Sequence, residues 1–148
     1  MVVTAPIWIG LVALALIARS LRRAMLYALA WGWWIGRARR RVLFVYSDSP
    51  NWKAHVETSI LPRLPANAVV LNWSHRATWP ALDPSAMLFR GFAGERELNP
   101  IGLVFERFAV VARYRFWQPF RDARHGRVEP LHSLERLFLE HARRDGSR

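Results

Sequence analysis

The chain has 148 residues, of which 52% are hydrophobic and 13% aromatic, so its composition excludes an intrinsically disordered protein. It contains no cysteine, which excludes disulfide bonds, thiolate nucleophiles and thiolate metal sites. Its net charge of +11 excludes a neutral surface and points to a negatively charged partner, either a membrane or a nucleic acid.

The distribution of charge favours the membrane. Residues 1–41 hold seven arginines and no acid, a net charge of +7. Residues 42–148 hold fourteen arginines and one lysine against eleven acids, a net charge of +4. Because most of the excess lies beside the apolar N-terminus, it indicates contact with acidic headgroups before it indicates nucleic acid.

The first 18 residues, MVVTAPIWIGLVALALIA, carry no charged side chain and are followed by the basic sequence RSLRR. As a helix they cover about 27 Å, close to the ~30 Å hydrocarbon core of a bilayer. The positive charge follows the apolar stretch, whereas a cleavable signal peptide carries it in front, which predicts an uncleaved transmembrane helix. Retained arginines place the N-terminus outside and the chain after Ser20 in the cytoplasm. With 21 arginines and one lysine, the composition suggests a single-pass protein of a bacterial cytoplasmic membrane.

A second apolar stretch, AMLYALAWGWWIG (24–36), has only 13 residues between arginines, too few to cross a bilayer easily. It is predicted to lie in the interface, with its aromatic rings at headgroup depth; the alternative is a buried hairpin of two short helices. Residues 1–41 are therefore predicted to form a membrane anchor with a basic, tryptophan-rich juxtamembrane helix, and residues 42–148 a separate domain. The residues assigned to the membrane surface are Arg19, Arg22, Arg23, Trp31, Trp33, Trp34, Arg37, Arg39, Arg40 and Arg41.

Beyond residue 41 the pattern is typical of alternating strands and helices. VLFVYS (42–47) predicts a strand buried on both faces. SDSPNW supplies Ser49 at the N-cap and Pro50 at the first position of a helix whose apolar face repeats at Trp52, Val56 and Ile60. AVVLNWS (68–74) predicts a second strand, parallel to the first.

The second half predicts a helix, two strands and a helix. Asp83 is expected to cap a helix over 84–92. IGLVFER (101–107) and VVARYRFWQPF (110–120) predict two strands, joined at Phe108 and Ala109 without the usual hairpin residues. A last helix begins near Pro130. Its predicted apolar stripe is Leu131, Leu134, Leu137, Phe138 and Ala142.

This order of elements resembles the thioredoxin-like fold over nearly all of residues 42–148. The resemblance rests on the apolar strand that runs into SDSPNWK, and on Asn99-Pro100 directly before the strand IGLVF. In that family a cis-proline precedes this strand and packs against the turn after the first strand, while a hairpin and a terminal helix close the fold. The fold class is therefore expected to be α/β.

The sequence departs from that family at the reactive turn. Where the family carries Cys-x-x-Cys, this chain has Asp48-Ser49-Pro50-Asn51 or Ser49-Pro50-Asn51-Trp52, depending on the alignment. Because neither alignment supplies a thiol, disulfide exchange is excluded. The resemblance then implies a groove that holds an extended polypeptide beside Asn99-Pro100 by strand addition. The residues assigned to this groove are Ser47, Asp48, Ser49, Pro50, Asn51, Trp52, His75, Arg76, Asn99 and Pro100.

The same strand ends allow an enzyme as the alternative. Asp48 and Asn51 follow the first strand, and His75 and Arg76 follow the second, so all four are expected at one sheet edge, where α/β sheets bind ligands. They would form a pocket for a small anionic substrate. Ser49 with His75 and Asp48 could make a hydrolase on paper, but the sequence lacks a nucleophile elbow. The alternative explanation of these polar residues is purely structural: Ser49 caps a helix, and Asn72 and Ser74 begin a loop.

The predicted fourth strand carries alternating arginines. Ala112, Tyr114, Phe116 and Phe120 would face one way, and the opposite, basic face would hold Arg113, Arg115, Trp117 and Arg121. That face fits the phosphates of a nucleic acid, acidic headgroups or an acidic partner, or simply solvent.

The preferred hypothesis is a membrane-anchored, redox-inactive binding or assembly module with a protein partner, rather than an enzyme. No catalytic residue, cofactor or metal site is assigned, because the five histidines show no metal-ligand spacing. A nucleic-acid binder is the third hypothesis, and the sequence does not determine the oligomeric state.

Overall fold

The computed structural model describes residues 5–94, 99–106 and 110–144, with the backbone alone for residues 5–7. The helices are α1 (Ala5–Tyr27), which continues as a π-helix (Ala28–Arg37); α2 (Lys53–His55), which continues as a π-helix (Val56–Ile60) and a 3-10 turn (Leu61–Arg63); a 3-10 helix (Trp73–Thr78); α3 (Pro84–Phe92); α4 (Trp117–Arg124); and α5 (Glu129–Arg144). The strands are β1 (Val42–Tyr46), β2 (Val69–Asn72), β3 (Ile101–Phe105) and β4 (Val111–Arg115).

The four strands form one mixed sheet in the order β2-β1-β3-β4. β1 and β2 run parallel, with Leu43 opposite Val69, whereas β3 runs antiparallel to both β1 and β4. The predicted α/β class is therefore confirmed. The peptide bond between Asn99 and Pro100 is cis. The predicted join at Phe108 and Ala109 lies outside the described residues.

The core lies on both faces of β1 and β3, whose residues are buried throughout. Because side chains alternate along a strand, Leu43 and Val45 join one apolar cluster and Val42 and Phe44 join the other. The first cluster is covered by α3 and the end of the N-terminal helix, and the second by the π-helix that continues α2, by α4 and by α5. The β-branched and aromatic run in β1 thus predicted a doubly buried strand correctly.

The segment predicted as an interfacial helix packs on the sheet instead. Leu26, Ala30 and Trp34 recur every four residues and are all buried in the first core cluster. Trp34 is fully buried against Phe105, and Trp31 Nε1 donates a hydrogen bond of 2.7 Å to the carbonyl oxygen of Glu106. The predicted headgroup contact of Trp34 is therefore wrong. The hairpin alternative is also wrong, since α1 runs into the π-helix without a break.

The N-terminal part of α1 contributes nothing to this core, because every residue from 8 to 25 is exposed. Its large apolar side chains with more than half of their surface exposed are Trp8, Ile9, Leu11, Val12, Leu14, Leu16, Ile17, Leu21 and Met25. Among the described residues, no helix combines the length and the apolar character needed to cross a membrane. The transmembrane helix predicted over residues 1–18 is thus without structural support, and residues 1–4 lie outside the described part.

Several predicted boundaries are wrong. The second strand, predicted over 68–74, ends at Asn72, where a 3-10 helix follows. The first helix begins at Lys53, so Pro50 belongs to a turn and not to the first helical position. The predicted fourth strand ends at Arg115, and α4 follows it. Phe116 and Phe120 would share one face of a strand and also one face of a helix, so their spacing did not distinguish the two. Both are buried.

The predicted stripe of the last helix is correct for Leu131, Phe138 and Ala142, which are buried, but Leu137 is 56% exposed. Phe138 lies against Gly102 of β3, where a Cβ atom would come within 2.5 Å of the phenyl Cε2. The glycine is therefore what lets α5 approach the sheet. The helix predicted over 84–92 is confirmed, with Asp83 accepting the N–H of Ser85 at 2.9 Å as its cap.

Candidate functional site

A hydrogen-bonded cluster lies just beyond the end of β1, with Asp48 at its centre. Oδ1 of Asp48 accepts a hydrogen bond from Asn72 Nδ2 at 2.9 Å and pairs with Lys53 Nζ at 2.8 Å. Oδ2 lies 3.4 Å from His75 Nε2. The N–H of Asp48 donates to Ser74 Oγ at 2.9 Å. The predicted neighbourhood of Asp48 and His75 is therefore present, and it ties the turn after β1 to the end of β2.

The charges of this cluster stabilise one another. Hydrogen bonds from Lys53 and then Asn72, with the nearby positive charge, hold the pKa of Asp48 below its ordinary value. The carboxylate of Asp48 in turn raises the pKa of Lys53. A carboxylate with a lowered pKa is a poor proton acceptor at neutral pH, so Asp48 is ill suited to general-base catalysis.

The remaining polar residues of the predicted pocket have local partners. Ser49 accepts hydrogen bonds through its carbonyl oxygen from the N–H of Lys53 at 2.9 Å, and through Oγ from the N–H of Asn51 at 3.4 Å. The guanidinium of Arg76 stacks on Trp73 at 5.2 Å and donates to its carbonyl oxygen at 3.3 Å. Arg76 is therefore turned toward its own 3-10 helix. Asn72 caps that helix by accepting the N–H of Ser74 at 2.9 Å, which matches the turn explanation for this pair.

The turn after β1 also borders a cavity that the sequence did not predict. The cavity measures about 230 Å³ and lies between the turn and α4; we call it the α2–α4 groove. Its lining residues are Asn51, Trp52, Trp117, Phe120, Arg121 and Arg124. The guanidinium of Arg121 lies 5.0 Å from the centre of the Trp117 ring. The groove therefore combines aromatic walls with two arginines and no acid among its lining residues.

The predicted basic strand face forms only at Arg113 and Arg115, which share one face of β4 opposite Ala112 and Tyr114. Arg113 donates through Nε to the carbonyl oxygen of Phe92, and Arg115 donates at 3.1 Å to that of Ala93. Both arginines thus bind the last carbonyl groups of α3, where a positive charge is favourable. Trp117 and Arg121 belong to α4 and line the α2–α4 groove. Sequence analysis missed the groove because it extended β4 over residues that are helical.

Asn99 and Pro100 lie at the same end of the sheet as Asp48. Val45 faces Ile101 in the β1–β3 register, so the residues just before Ile101 lie beside the end of β1. The carbonyl oxygen of Pro100 accepts the N–H of Phe116 at 2.9 Å, which fixes the entry of α4 next to this edge. The fold therefore places the Asn99-Pro100 pair, the turn after β1 and α4 at one end of the sheet.

In the part of the chain that the structure describes, no three histidines or acids are grouped so that they could hold a metal ion. His55 pairs with the buried Glu135, and His141 lies 3.3 Å from Glu106 Oε1 and 2.7 Å from Tyr114 Oη, so these histidines connect elements of the fold. No family model, no curated protein and no solved structure matches the chain. The site must therefore be interpreted from its own geometry.

Replacing Asp48 by asparagine should remove a stabilisation that depends on pH. Because the pKa of Asp48 is lower in the folded chain than its ordinary value, the unfolded chain binds the proton more readily. The stabilisation is present above the ordinary pKa of aspartate and is lost as the pH falls through the folded pKa. We expect the Tm difference between wild type and Asp48→Asn to be largest near neutral pH and to vanish in acid. A difference that stays constant down to strong acid would contradict the assignment.

Proposed function

We propose that the protein is a membrane-attached, redox-inactive, thioredoxin-like binding module whose α2–α4 groove holds an extended acidic polypeptide on the cytoplasmic side. The fold assignment is supported by the sheet order β2-β1-β3-β4, with one parallel pair and two antiparallel pairs, and by a helix after each of β1, β2 and β4. This is the arrangement that the resemblance implies. The absence of cysteine excludes disulfide exchange in such a domain, and binding is a function that needs no thiol.

The observation that carries the proposal is the lining of the α2–α4 groove. Asn51 and Trp52 occupy the turn where a redox-active relative would carry its reactive pair, and they face Arg121 and Arg124 across the groove. Tryptophan and arginine are the residue types that contribute most at binding hot spots, and the arginines select negative charge. An extended chain passing Asn99 and Pro100 would bring an acidic side chain to this groove.

The alternative functions have less support from the geometry. An enzyme using Asp48, Asn51, His75 and Arg76 would need a free base and a free anion donor. Asp48 has a lowered pKa and two oxygens with close partners, and Arg76 is stacked on Trp73. A nucleic-acid binder would need a basic face extended along a strand, but Trp117 and Arg121 lie on α4 and line the α2–α4 groove instead.

Membrane attachment is supported by the exposed part of α1. A helix that is apolar around its whole circumference normally lies in a protein core or in lipid, and residues 8–17 have no core around them. Arginines at 19, 22 and 23 follow directly and suit acidic headgroups. We propose that this part of α1 inserts into the bilayer and holds the binding domain at its surface.

Two labelled peptides that differ only in having glutamate or lysine test the groove. The full-length protein in mild detergent should bind the glutamate peptide saturably and the lysine peptide weakly, as measured by fluorescence anisotropy. Arg121→Ala should weaken glutamate-peptide binding by about tenfold, the size expected for an arginine hot spot. Arg136→Ala removes the same charge from an exposed position on α5 and should change little. Equal binding of the two peptides, or equal losses in the two variants, would refute the proposal.

A further inference from the structure

A second cavity, of about 410 Å³, lies where the exposed part of α1 meets the domain. Its lining residues are Arg23, Leu26, Tyr27, Gly91, Phe92 and Arg113. They come from α1, α3 and β4, so the cavity exists only because these elements pack together. None of these lining residues is acidic.

The packing that forms the cavity is specific. A Cβ atom on Gly91 would come within 2.7 Å of Leu26 Cδ1. The absence of a side chain at Gly91 therefore lets α1 approach α3. The Tyr27 ring meets Phe92 edge to face, with 5.7 Å between ring centres. These contacts hold Tyr27 and Phe92 as an aromatic wall on one side of the cavity.

The two arginines of the cavity are held differently. Arg113 is fixed through Nε by the carbonyl oxygen of Phe92, which leaves the terminal nitrogens of its guanidinium as donors. Arg23 is exposed on the surface of α1 and borders the same cavity. Two guanidinium groups around one cavity match the oxygens of a phosphate group.

The cavity also lies at headgroup depth if α1 enters lipid as proposed. Arg23 is five residues beyond Ala18, the last residue of the uncharged stretch, which is about 7.5 Å along the helix. The headgroup region of a bilayer is ~5–8 Å thick on each side, and an arginine side chain reaches several ångströms along the helix. The phosphate of a lipid next to α1 is therefore within reach of the cavity.

We infer that this cavity binds the phosphate of an anionic phospholipid, with Arg23 and Arg113 as donors and with Tyr27 and Phe92 against the glycerol and first acyl carbons. The inference rests on the proposed membrane attachment. It adds to it a defined lipid site at the point where α1 meets the domain.

Retention of lipid tests the site. The full-length protein is extracted from vesicles of phosphatidylcholine and phosphatidylglycerol in mild detergent, and bound lipids are counted by native mass spectrometry. Wild type should retain phosphatidylglycerol in preference to phosphatidylcholine. Arg23→Gln should retain about fivefold less of it, as expected for the loss of one arginine at an acidic surface. Arg22→Gln makes the same change outside the cavity and should retain the wild-type amount.

Each outcome has a distinct meaning. Equal retention by Arg23→Gln and Arg22→Gln would overturn the site and leave only diffuse attraction to headgroups. Displacement of the lipid by inorganic phosphate in the buffer would overturn a lipid site in favour of a site for free phosphate. Before extraction, the vesicles are floated in a density gradient. Wild type that does not float with them would refute the proposed membrane attachment itself.

Discussion

Replacing Trp34 by alanine is expected to lower the free energy of unfolding by about 3–5 kcal/mol, the usual cost of removing a buried aromatic side chain. Trp34 is fully buried in the cluster that fills one face of the sheet, where its ring lies 6.2 Å from that of Phe105. A cavity of that size between a helix and a sheet cannot close by small shifts. The measurement is thermal and denaturant unfolding in mild detergent, followed by near-ultraviolet circular dichroism.

Trp33 is the matched control, since it is the neighbouring tryptophan but is 38% exposed. Trp33→Ala should cost less than about 1 kcal/mol, as expected for a partly exposed position away from special features. Trp34→Phe keeps most of the ring and removes an indole N–H that has no hydrogen-bond partner among the described residues, so it should cost far less than alanine. If Trp33→Ala and Trp34→Ala were equally mild, the segment would lie on a membrane surface, as its sequence alone suggests.

The strands were predictable because their sequences admit few alternatives. VLFVY and IGLVF are short apolar runs rich in β-branched residues, and both form central strands buried on both faces. Asp83-Pro84 combines a cap with a proline at the first helical position, and α3 begins there. In each case local propensity and tertiary burial favour the same structure.

The segment 24–36 could not be assigned from the sequence, because an apolar helix flanked by arginines suits lipid and a protein core equally well. What decides between them is the sheet. The residues at 43, 45, 103 and 105 present an apolar face, and α3 leaves part of it to be covered by Leu26, Ala30 and Trp34. The need to cover this face arises only in the assembled fold and cannot be predicted from any local sequence pattern.

The candidate site was predictable only where the topology of the sheet determines which residues meet. Parallel strands bring their ends to one edge, so the contact between the Asp48 turn and His75 followed from the predicted topology. The α2–α4 groove did not follow, since it depends on where β4 ends. Pro119 was the available signal: proline is accepted in the first turn of a helix but removes a donor from a strand, and it lies in the first turn of α4.

A fragment that begins at residue 42 is expected not to form a stable fold, although the sequence indicates a domain boundary there. It lacks Leu26, Ala30 and Trp34 and would expose the apolar face of β1 and β3 that they cover. The loss of Trp34 alone should lower the free energy of unfolding by about 3–5 kcal/mol, and the whole free energy of unfolding of such a domain is only about 5–15 kcal/mol. The fragment should bind a hydrophobic dye, lose its near-ultraviolet circular dichroism and aggregate.

A fragment that begins at residue 22 is the control, because it keeps the buried residues while losing the exposed apolar part of α1. It should unfold cooperatively and stay monodisperse without detergent, since residues 8–21 contribute no buried side chain. The two fragments differ by 20 residues that contain both the covering helix and the basic segment before β1. A cooperative transition of equal Tm in both would show that the π-helix is an attachment and not part of the core. Folding of the longer fragment alone would place the domain boundary within α1, near the point where its side chains first become buried at Leu26.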